Sequence, residues 1–438
     1  MYLSTSRAAD RAARDRRKRP TTPSSRPFSL VRSNVLVLGT VSLVTDISSE
    51  MTSSALPVYL VLGLGLSPFL FGVLDGVYSG SGALLRLLFG YMSDRWQRRK
   101  PVAAAGYALS AVCKLGLLVA GTTSAIGLVI FADRAGKSIR AAPRDALISL
   151  SAPPEAQGRA FGLHRAMDTV GALLGPLVAF LLLSRLDGGY HAVFFVSFCV
   201  AVPAVVLLWL FVREDTPGGG PVTAGEPKRP ALPWRAVFQL RSHPGFVRVW
   251  SCAAVLGLVT VSDSFLYLML QQRFSLPAAR FPLLPLGTAA GFLLFALPVG
   301  RLADRFGRWQ VLLAGHLCLL GAYGVLLTGG GSAVVVTGAV LLLHGIFYAA
   351  SDGVLMALVA PCLPDRLKAT GMGLVQSGQA VARLACSLLF GAAWTAWGQH
   401  TALAVATFAL AGGLLCALAL RPRGEQPVPP PMTTRSPS

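Results

Sequence analysis

This sequence has little charge. Only 13% of its 438 residues are Asp, Glu, Lys or Arg, against 53% hydrophobic, and the mean hydropathy is +0.60. That excludes a soluble domain with an ordinary surface, where about 25% of residues are charged. Carboxylates are the scarcer sign: 19 Asp and Glu face 39 Lys and Arg, a formal net charge of +20. Such an excess suits nucleic acid in principle. Here the basic residues concentrate at the chain ends and in alternate loops between apolar runs, the pattern of cytoplasmic loops in membrane chains. The N-terminal RAARDRRKRP is therefore read as an anchor near anionic lipid, not as a nucleic-acid patch or a twin-arginine signal. No cleavable signal peptide is expected, because Asp46 and Glu50 interrupt the first apolar run and no small-residue cleavage site precedes them.

Other absences narrow the function. The seven cysteines are scattered, mostly inside apolar segments, with no CxxC and no Cys/His pairing at metal spacing. They read as small apolar packing residues. No Gly-x-x-x-x-Gly-Lys-Ser/Thr loop is present, so ATP coupling within the chain is not expected. No Ser/His/Asp or two-metal arrangement points to an enzyme.

What remains is apolar sequence in lengths that cross a bilayer. Twelve segments follow a basic tail at 1–33. Six lie near 34–62, 68–92, 101–121, 124–146, 159–183 and 190–212, and six near 246–271, 281–302, 310–329, 332–360, 370–396 and 401–420. The Gly- and Pro-rich stretch 213–245 reads as a linker, and 421–438 as a second disordered tail. The basic loops SDRWQRRK and DRFGRWQ fall on the side of the linker and termini, while the opposite loops, such as GLGLS, are short and nearly uncharged. Both termini are thus expected in the cytoplasm. The halves also repeat: Gly90-Tyr-Met-Ser-Asp94-Arg95 recurs as Gly300-Arg-Leu-Ala-Asp304-Arg305, and Pro154-Glu155 is echoed by Pro364-Asp365. The expectation is an all-α membrane protein of twelve transmembrane helices, arranged as two parallel-repeat six-helix bundles at 34–212 and 246–420.

The few charges inside the apolar segments are costly, at about 2.5–3.5 kcal/mol each for a lone ion at a helix centre. They are tolerated against partners or a water-filled cavity. Asp133 to Pro176 holds the densest group of them. Asp46 and Glu50 are four apart on the first span and share a face. They are candidates for carrying a proton or a cation, with Arg134 as a partner, and a permanent bridge between spans one and four is the alternative. Arg134 and Lys137 lie deeper in the fourth span than Arg140, Arg144 and Asp145. The shallower three are expected to bridge to Asp94, Arg95 or Arg98 at a cytoplasmic gate. His164 and Asp168 form an i,i+4 pair suited to a proton relay or a packing hydrogen bond; a metal site is not expected. Lys114 is expected to snorkel or to pair with a carboxylate such as Asp75. Asp263, Asp352 and Arg383 are the sparse set of the second half, with His344 and Tyr348 nearby. Charge is lopsided, so the first bundle is expected to handle coupling and the second to supply much of the cargo surface.

Small residues at four-residue spacing mark one face of several spans: Gly72, Gly76 and Gly80; Gly171 and Gly175; Gly287 and Gly291; Gly373 and Ser377. Their presence at equivalent places in both halves favours sliding surfaces between bundles over packing within one.

These residues resemble the major facilitator superfamily, from about Ser33 to Leu420. Its loop signature Gly-x-x-x-Asp-Arg-x-Gly-Arg-Arg is matched by GYMSDRWQRR, with Gln97 where Gly is usual, and by GRLADRFGRW, which retains Gly307. Arg134 stands where proton-linked members place an arginine, although Lys137 and Ser138 replace the usual Gln and Gly. GALLGPLVAF is similar to the antiporter signature through Gly171, Gly175 and Pro176, with Ala179 and Phe180 in place of two further glycines. DISSEM, GKSIRAAPRDAL and AFGLHRAMDTVGA resemble a bacterial subgroup more closely.

The resemblance implies alternating access between two bundles around one central site, lined by spans one, four, seven and ten. The residue reading gives Asp46, Glu50, Asp75, Arg134, Lys137, His164, Asp168, Asp263, Asp352 and Arg383 as coupling or cavity candidates. Gly90, Asp94, Arg95, Arg98, Arg140, Arg144, Asp145, Gly300, Asp304 and Arg305 become gate candidates. Gly171, Gly175 and Pro176 are packing elements. The expected function is proton-coupled export of a small organic compound from a monomer in the bacterial plasma membrane. The proton gradient drives it without a cofactor or metal, and the partners are substrate and lipid, not nucleic acid. Transport of an anionic metabolite or metal chelate, drawn to Arg134, Lys137 and Arg140, and a transporter-like sensor or scaffold without flux are the alternatives.

Overall fold

The computed structural model describes residues 33–96, 99–152, 156–186, 188–212, 240, 243–328, 330–363 and 368–420. Side chains at 33, 83, 84, 86–96 and 368–370 lie outside that description. The expected tails and nearly all of the 213–245 linker fall outside it too, as do Pro154, Glu155, Pro364 and Asp365.

The described residues form helices joined by short turns, with no strand among them. In lipid every backbone N–H and C=O must be satisfied within its own segment, and long apolar runs do so as helices. Thirteen α-helices are described: α1 Ser33–Val58, α2 Pro68–Trp96, α3 Arg99–Val119, α4 Thr123–Leu150, α5 Gln157–Arg185, α6 Tyr190–Phe211, α7 Pro244–Val259, α8 Asp263–Arg273, α9 Leu283–Phe306, α10 Arg308–Thr328, α11 Ala333–Val359, α12 Lys368–Trp397 and α13 Gln399–Ala419. Among the described residues, ten stretches are long and apolar enough to cross a membrane, counting α7 and α8 as one. α4 is not among them, since Asp133, Arg134, Lys137 and Arg140 lie within its length. Thr122 caps α4 by accepting from Ala125 N at 3.2 Å, and Ser332 caps α11 from Val335 N at 3.4 Å. The fourth and tenth expected spans thus begin alike.

The seventh expected span is not continuous. α7 ends at Val259 and α8 begins at Asp263. Thr260, Ser262 and Asp263 all carry side chains that compete with the helical ladder for backbone groups. The freed Val261 N–H donates to Tyr323 Oη at 2.9 Å, so the break is satisfied inside the protein.

Helix pairing repeats between the halves. In the first, α1 packs on α5 and α6, α3 on α4 and α6, and α2 on α4. In the second, α7 packs on α12 and α13, α10 on α11 and α13, and α9 on α11. Each pairing has its counterpart, as a parallel repeat requires. Between halves, α2 lies along α12, and α5 meets α9 and the 3-10 turn Ala278–Arg280 that precedes it.

The small residues divide between these two kinds of contact. A Cβ at Gly72 would fall on the Ser387 carbonyl oxygen of α12, and Gly76 and Gly80 face Leu384, so this series does lie between the halves. Gly171 and Gly175 instead press on α1, where a Cβ would stand 2.6 Å from Leu43 O and 2.8 Å from Ile47 O. Gly287 and Gly291 face Leu341 and Gly345 of α11. Those two pairs pack within one half, contrary to the expectation of sliding surfaces. Four-residue spacing sets a face but not its neighbour. Gly175→Val, aimed at α1 backbone on both sides, is expected to cut the yield of monodisperse protein severalfold in size-exclusion of detergent extracts. Gly158→Ala, into open space, is expected to leave the yield unchanged.

One apolar cluster joins the halves, with Tyr59, Leu60, Phe71 and Leu74 from the first and Phe265, Tyr267, Phe281, Phe390 and Trp394 from the second. The Phe265 ring centroid is 4.9 Å from those of both Phe71 and Phe390. Towards the end of α6 and the start of α7, the cores are separate. Val35, Leu38, Leu147 and Leu208 belong to one, and Phe246, Trp309, Val354 and Leu414 to the other. The halves are thus sealed together at one end and have independent cores at the other, called here the linker end.

Candidate functional site

Below the seal lies a cavity of about 390 Å³ lined from both halves. α1 contributes Glu50, Ser53, Ser54 and Pro57, and α2 contributes Phe71, Leu74, Asp75 and Tyr78. α8 brings Asp263, Ser264 and Tyr267; α9 brings Pro285, Thr288, Ala289 and Phe292; α11 brings Tyr348 and Asp352. α4 and α5 each add one residue, Ile130 and Pro176. Among the described residues, four lining residues are carboxylates and none is Lys or Arg.

Four cations of the first half, Lys114, Arg134, Lys137 and Arg140, sit behind this wall, each beside a carboxylate. Lys137 Nζ is 3.7 Å from Glu50 Oε1, and Arg140 Nη2 is 3.6 Å from Asp46 Oδ1. Ser53 Oγ donates to Glu50 Oε2 at 2.7 Å. Arg134 donates to Asp133 Oδ2 at 2.7 Å and lies 4.0 Å above the Tyr78 ring. Lys114 Nζ stands 3.6 Å from Asp133 Oδ1, which also accepts from Ser110 Oγ at 2.9 Å. Two helix turns along α4 therefore face α1 and α3 with alternating ion pairs, which offsets the cost of their burial.

Three pairings differ from the sequence expectation. Asp46 meets Arg140, not Arg134, because Arg134 turns to Asp133 and Tyr78. Lys114 joins Asp133 and not Asp75, since α3 packs on α4 while α2 faces the other half. Arg140, expected at a gate, is buried, with its guanidinium 4.4 Å from the Tyr107 ring centroid. Arg144 and Asp145 pair with each other at 3.0 Å. The side chains of Gly90, Asp94, Arg95 and Arg98 lie outside the described residues. In the second copy of that loop, a Cβ on Gly300 would meet nothing, and Asp304 and Arg305 are exposed.

His164 Nδ1 is 3.3 Å from Asp168 Oδ2, and its Nε2 is 3.0 Å from Ser42 Oγ. These contacts tie α5 to α1 one turn from Asp46. Gly171 and Gly175 allow the approach: a Cβ there would touch the Asp46 and Glu50 Cβ atoms at 3.0 and 2.6 Å.

The second half builds a different arrangement. Asp263 opens α8, and Tyr348 Oη donates to its two oxygens at 2.7 and 2.6 Å. His344 Nε2 is 3.3 Å from Asp263 Oδ1. Behind it, Tyr267 Oη donates to Thr288 Oγ1 at 2.9 Å, and Thr288 Oγ1 is 3.5 Å from His344 Nδ1. Asp75 is buried and accepts from Ser387 Oγ at 2.7 Å across the α2–α12 contact. Asp352 and Arg383 line a side cavity of about 40 Å³ with His316 and Tyr348. Ser110, Tyr107 and Ser387 were not legible as site residues, since an isolated Ser or Tyr in an apolar run carries no pattern. Tyr78 had a weak signal, one turn after Asp75.

A repeat of six helices, a broken seventh span and one cavity at the junction describe a transporter core. The profile of the Major Facilitator Superfamily matches residues 38–343 and again 283–437. The chain belongs to the Major Facilitator Superfamily. It is 28% identical over 396 residues to an uncharacterised MFS-type transporter of Methanocaldococcus jannaschii, covering 87% of this chain and 94% of that one. An uncharacterised protein of Mycobacterium tuberculosis is 28% identical over 361 residues, covering 82% and 85%. Among solved structures, the nucleoside transporter NupG superposes with a TM-score of 0.75 at 14% identity, covering 89% of this chain and 99% of that one. A bacterial homologue of the human lysosomal transporter Spinster, inward-facing and unoccupied, reaches 0.65 at 15% identity, covering 90% and 95%. Such identities speak for the fold alone. As a superfamily member the chain is a multi-pass membrane protein, and its fold indicates a secondary transporter.

Proposed function

We propose that this superfamily member exports a small organic compound in exchange for protons, by alternating access, from a plasma membrane crossed by twelve spans with both termini in the cytoplasm. The observation that carries the reading is the doubled pairing of Glu50 with Lys137 and of Asp46 with Arg140 at one wall of the cavity. Glu50 reaches the cavity itself. A proton taken by either carboxylate removes the charge that holds its cation, so loading and unloading alter how α1 sits on α4. The antiporter-like stretch Gly171 to Pro176 packs against those same two carboxylates. Cytoplasmic termini would turn the linker end, where the halves have separate cores, towards the side from which an exporter loads. Asp304 and Arg305, with Gly90, Asp94, Arg95 and Arg98, are the residues proposed to close that end.

An anionic cargo is less well supported, because Arg134, Lys137 and Arg140 each have a carboxylate partner and none lines the cavity. The test is proton release from acidified everted vesicles on adding cationic, neutral and anionic compounds. Release with cationic or neutral compounds is expected. A response to anions alone would replace the reading, and absence of any counterflow in proteoliposomes would favour a sensor without flux.

A further inference from the structure

We infer that the cavity takes an organic monocation and that Asp263 is its counter-ion. The inference rests on the cavity being the transport site, but not on proton coupling.

Of the four carboxylates on the wall, Asp263 and Asp352 have no Lys or Arg within ion-pair distance among the described residues; Asp352 also lines the side cavity together with Arg383, which leaves Asp263 as the one that faces the main cavity alone. Glu50 has Lys137 beside it. Asp75 is sealed in the α2–α12 contact under the Ser387 hydroxyl. Asp263 has no Lys or Arg within ion-pair distance among the described residues, and its side chain is 39% exposed, on the cavity wall. It stands in the first turn of α8, at the positive end of the helix dipole.

The surroundings hold that carboxylate still and leave one side of it open. Tyr348 donates to it from α11. His344, only 1% exposed, aims Nε2 at Oδ1 from 3.3 Å, yet that nitrogen has no hydrogen-bond partner. The Tyr267–Thr288–His344 chain fixes the ring from behind. The break at Thr260–Ser262 adds a second mark. Interrupted membrane helices are tolerated where the irregular backbone is buried in protein or lines a cavity, and transporters place ligand sites there.

The rest of the wall suits the apolar body of such a cation. Phe71, Phe292 and Tyr267 line it, aromatic side chains of the kind that attract a cation by about 0.5–2 kcal/mol. Among the described residues, an anion would meet four carboxylates and no lining Lys or Arg.

The test uses full-length protein in nanodiscs and two ions of matched shape, tetraphenylphosphonium and tetraphenylborate, with empty nanodiscs subtracted. Saturable phosphonium binding without borate binding is expected. Asp263→Asn should weaken it by about tenfold or more, equivalent to about 1.4 kcal/mol, and Asp263→Glu should restore most of it. Ser264→Lys, which sets a fixed cation beside Asp263, should abolish phosphonium binding and admit the borate even if Asp263→Asn fails to fold. Equal or tighter borate binding to the wild type, no saturable binding of either ion, or unchanged affinity in Asp263→Asn would overturn the site. Proton-coupled flux of a neutral or anionic compound that ignores Asp263→Asn would also overturn it, while leaving the transporter reading intact. Asp263-dependent phosphonium binding with no proton movement would keep the site and remove the proton coupling.

Discussion

Gly72→Leu is expected to abolish transport while leaving the protein folded and inserted. A Cβ at this position would land on the Ser387 carbonyl oxygen, with the Gly391 Cα 3.3 Å away. Both obstacles are backbone, so no rotamer change makes room. The contact lies between halves, which distinguishes it from Gly175. Each six-helix half keeps its own packing, and only the seal between them is forced apart. The Asp75–Ser387 hydrogen bond lies one turn along the same contact and should be lost with it. Spin labels at Leu64 and Trp397, both exposed near the sealed end, should report a longer distance than in the wild type, and counterflow in proteoliposomes should fall to the level of empty vesicles. Gly82→Ala, into open space on the same helix, is the matched control. Normal counterflow in Gly72→Leu would mean that closing this seal is no part of the cycle.

Asp46→Asn is expected to remove pH-driven transport and to lower stability, two effects that a second substitution separates. Arg140 is 5% exposed and its carboxylate partner is Asp46. Removing one member of a buried pair costs about 3–5 kcal/mol, because the other charge is left uncompensated. Against a typical folding stability of about 5–15 kcal/mol, that loss should lower the melting temperature measurably. Changing Arg140→Gln in the same chain removes the stranded charge, so the double variant should recover much of the melting temperature and none of the pH-driven flux. Retained pH-driven flux in Asp46→Asn would take Asp46 out of the coupling. A melting temperature equal to the wild type would mean that Arg140 finds another partner.

The outline of the fold was legible because its signals are local and additive. Apolar length, basic loops and the repeated Gly-x-x-x-Asp-Arg each depend on a few neighbouring residues, and the bilayer leaves helices as the way to satisfy them. The break in the seventh span was harder to see. Thr260, Ser262 and Asp263 are its sequence trace, but an apolar run continues on both sides, and Tyr323, which satisfies the freed N–H, is 62 residues away.

Partner choice was not legible, for a geometric reason. Spacing along one helix says that Arg134, Lys137 and Arg140 occupy neighbouring faces, but not which helix each face meets. Arg134 turned to its own neighbour Asp133, which left Asp46 to Arg140 and drew Lys114 across from α3.

Composition and patterning alone established a membrane-embedded helical repeat with scarce, clustered charge, since hydropathy and loop charge act residue by residue. Helix packing decided the rest. It sorted the glycines into those between halves and those within one, and it placed each buried cation behind a carboxylate. It also left Asp263 on the cavity wall without a Lys or Arg among the described residues. Those outcomes depend on which faces of distant helices meet, and burial makes each unpaired charge expensive enough that the meeting decides its role.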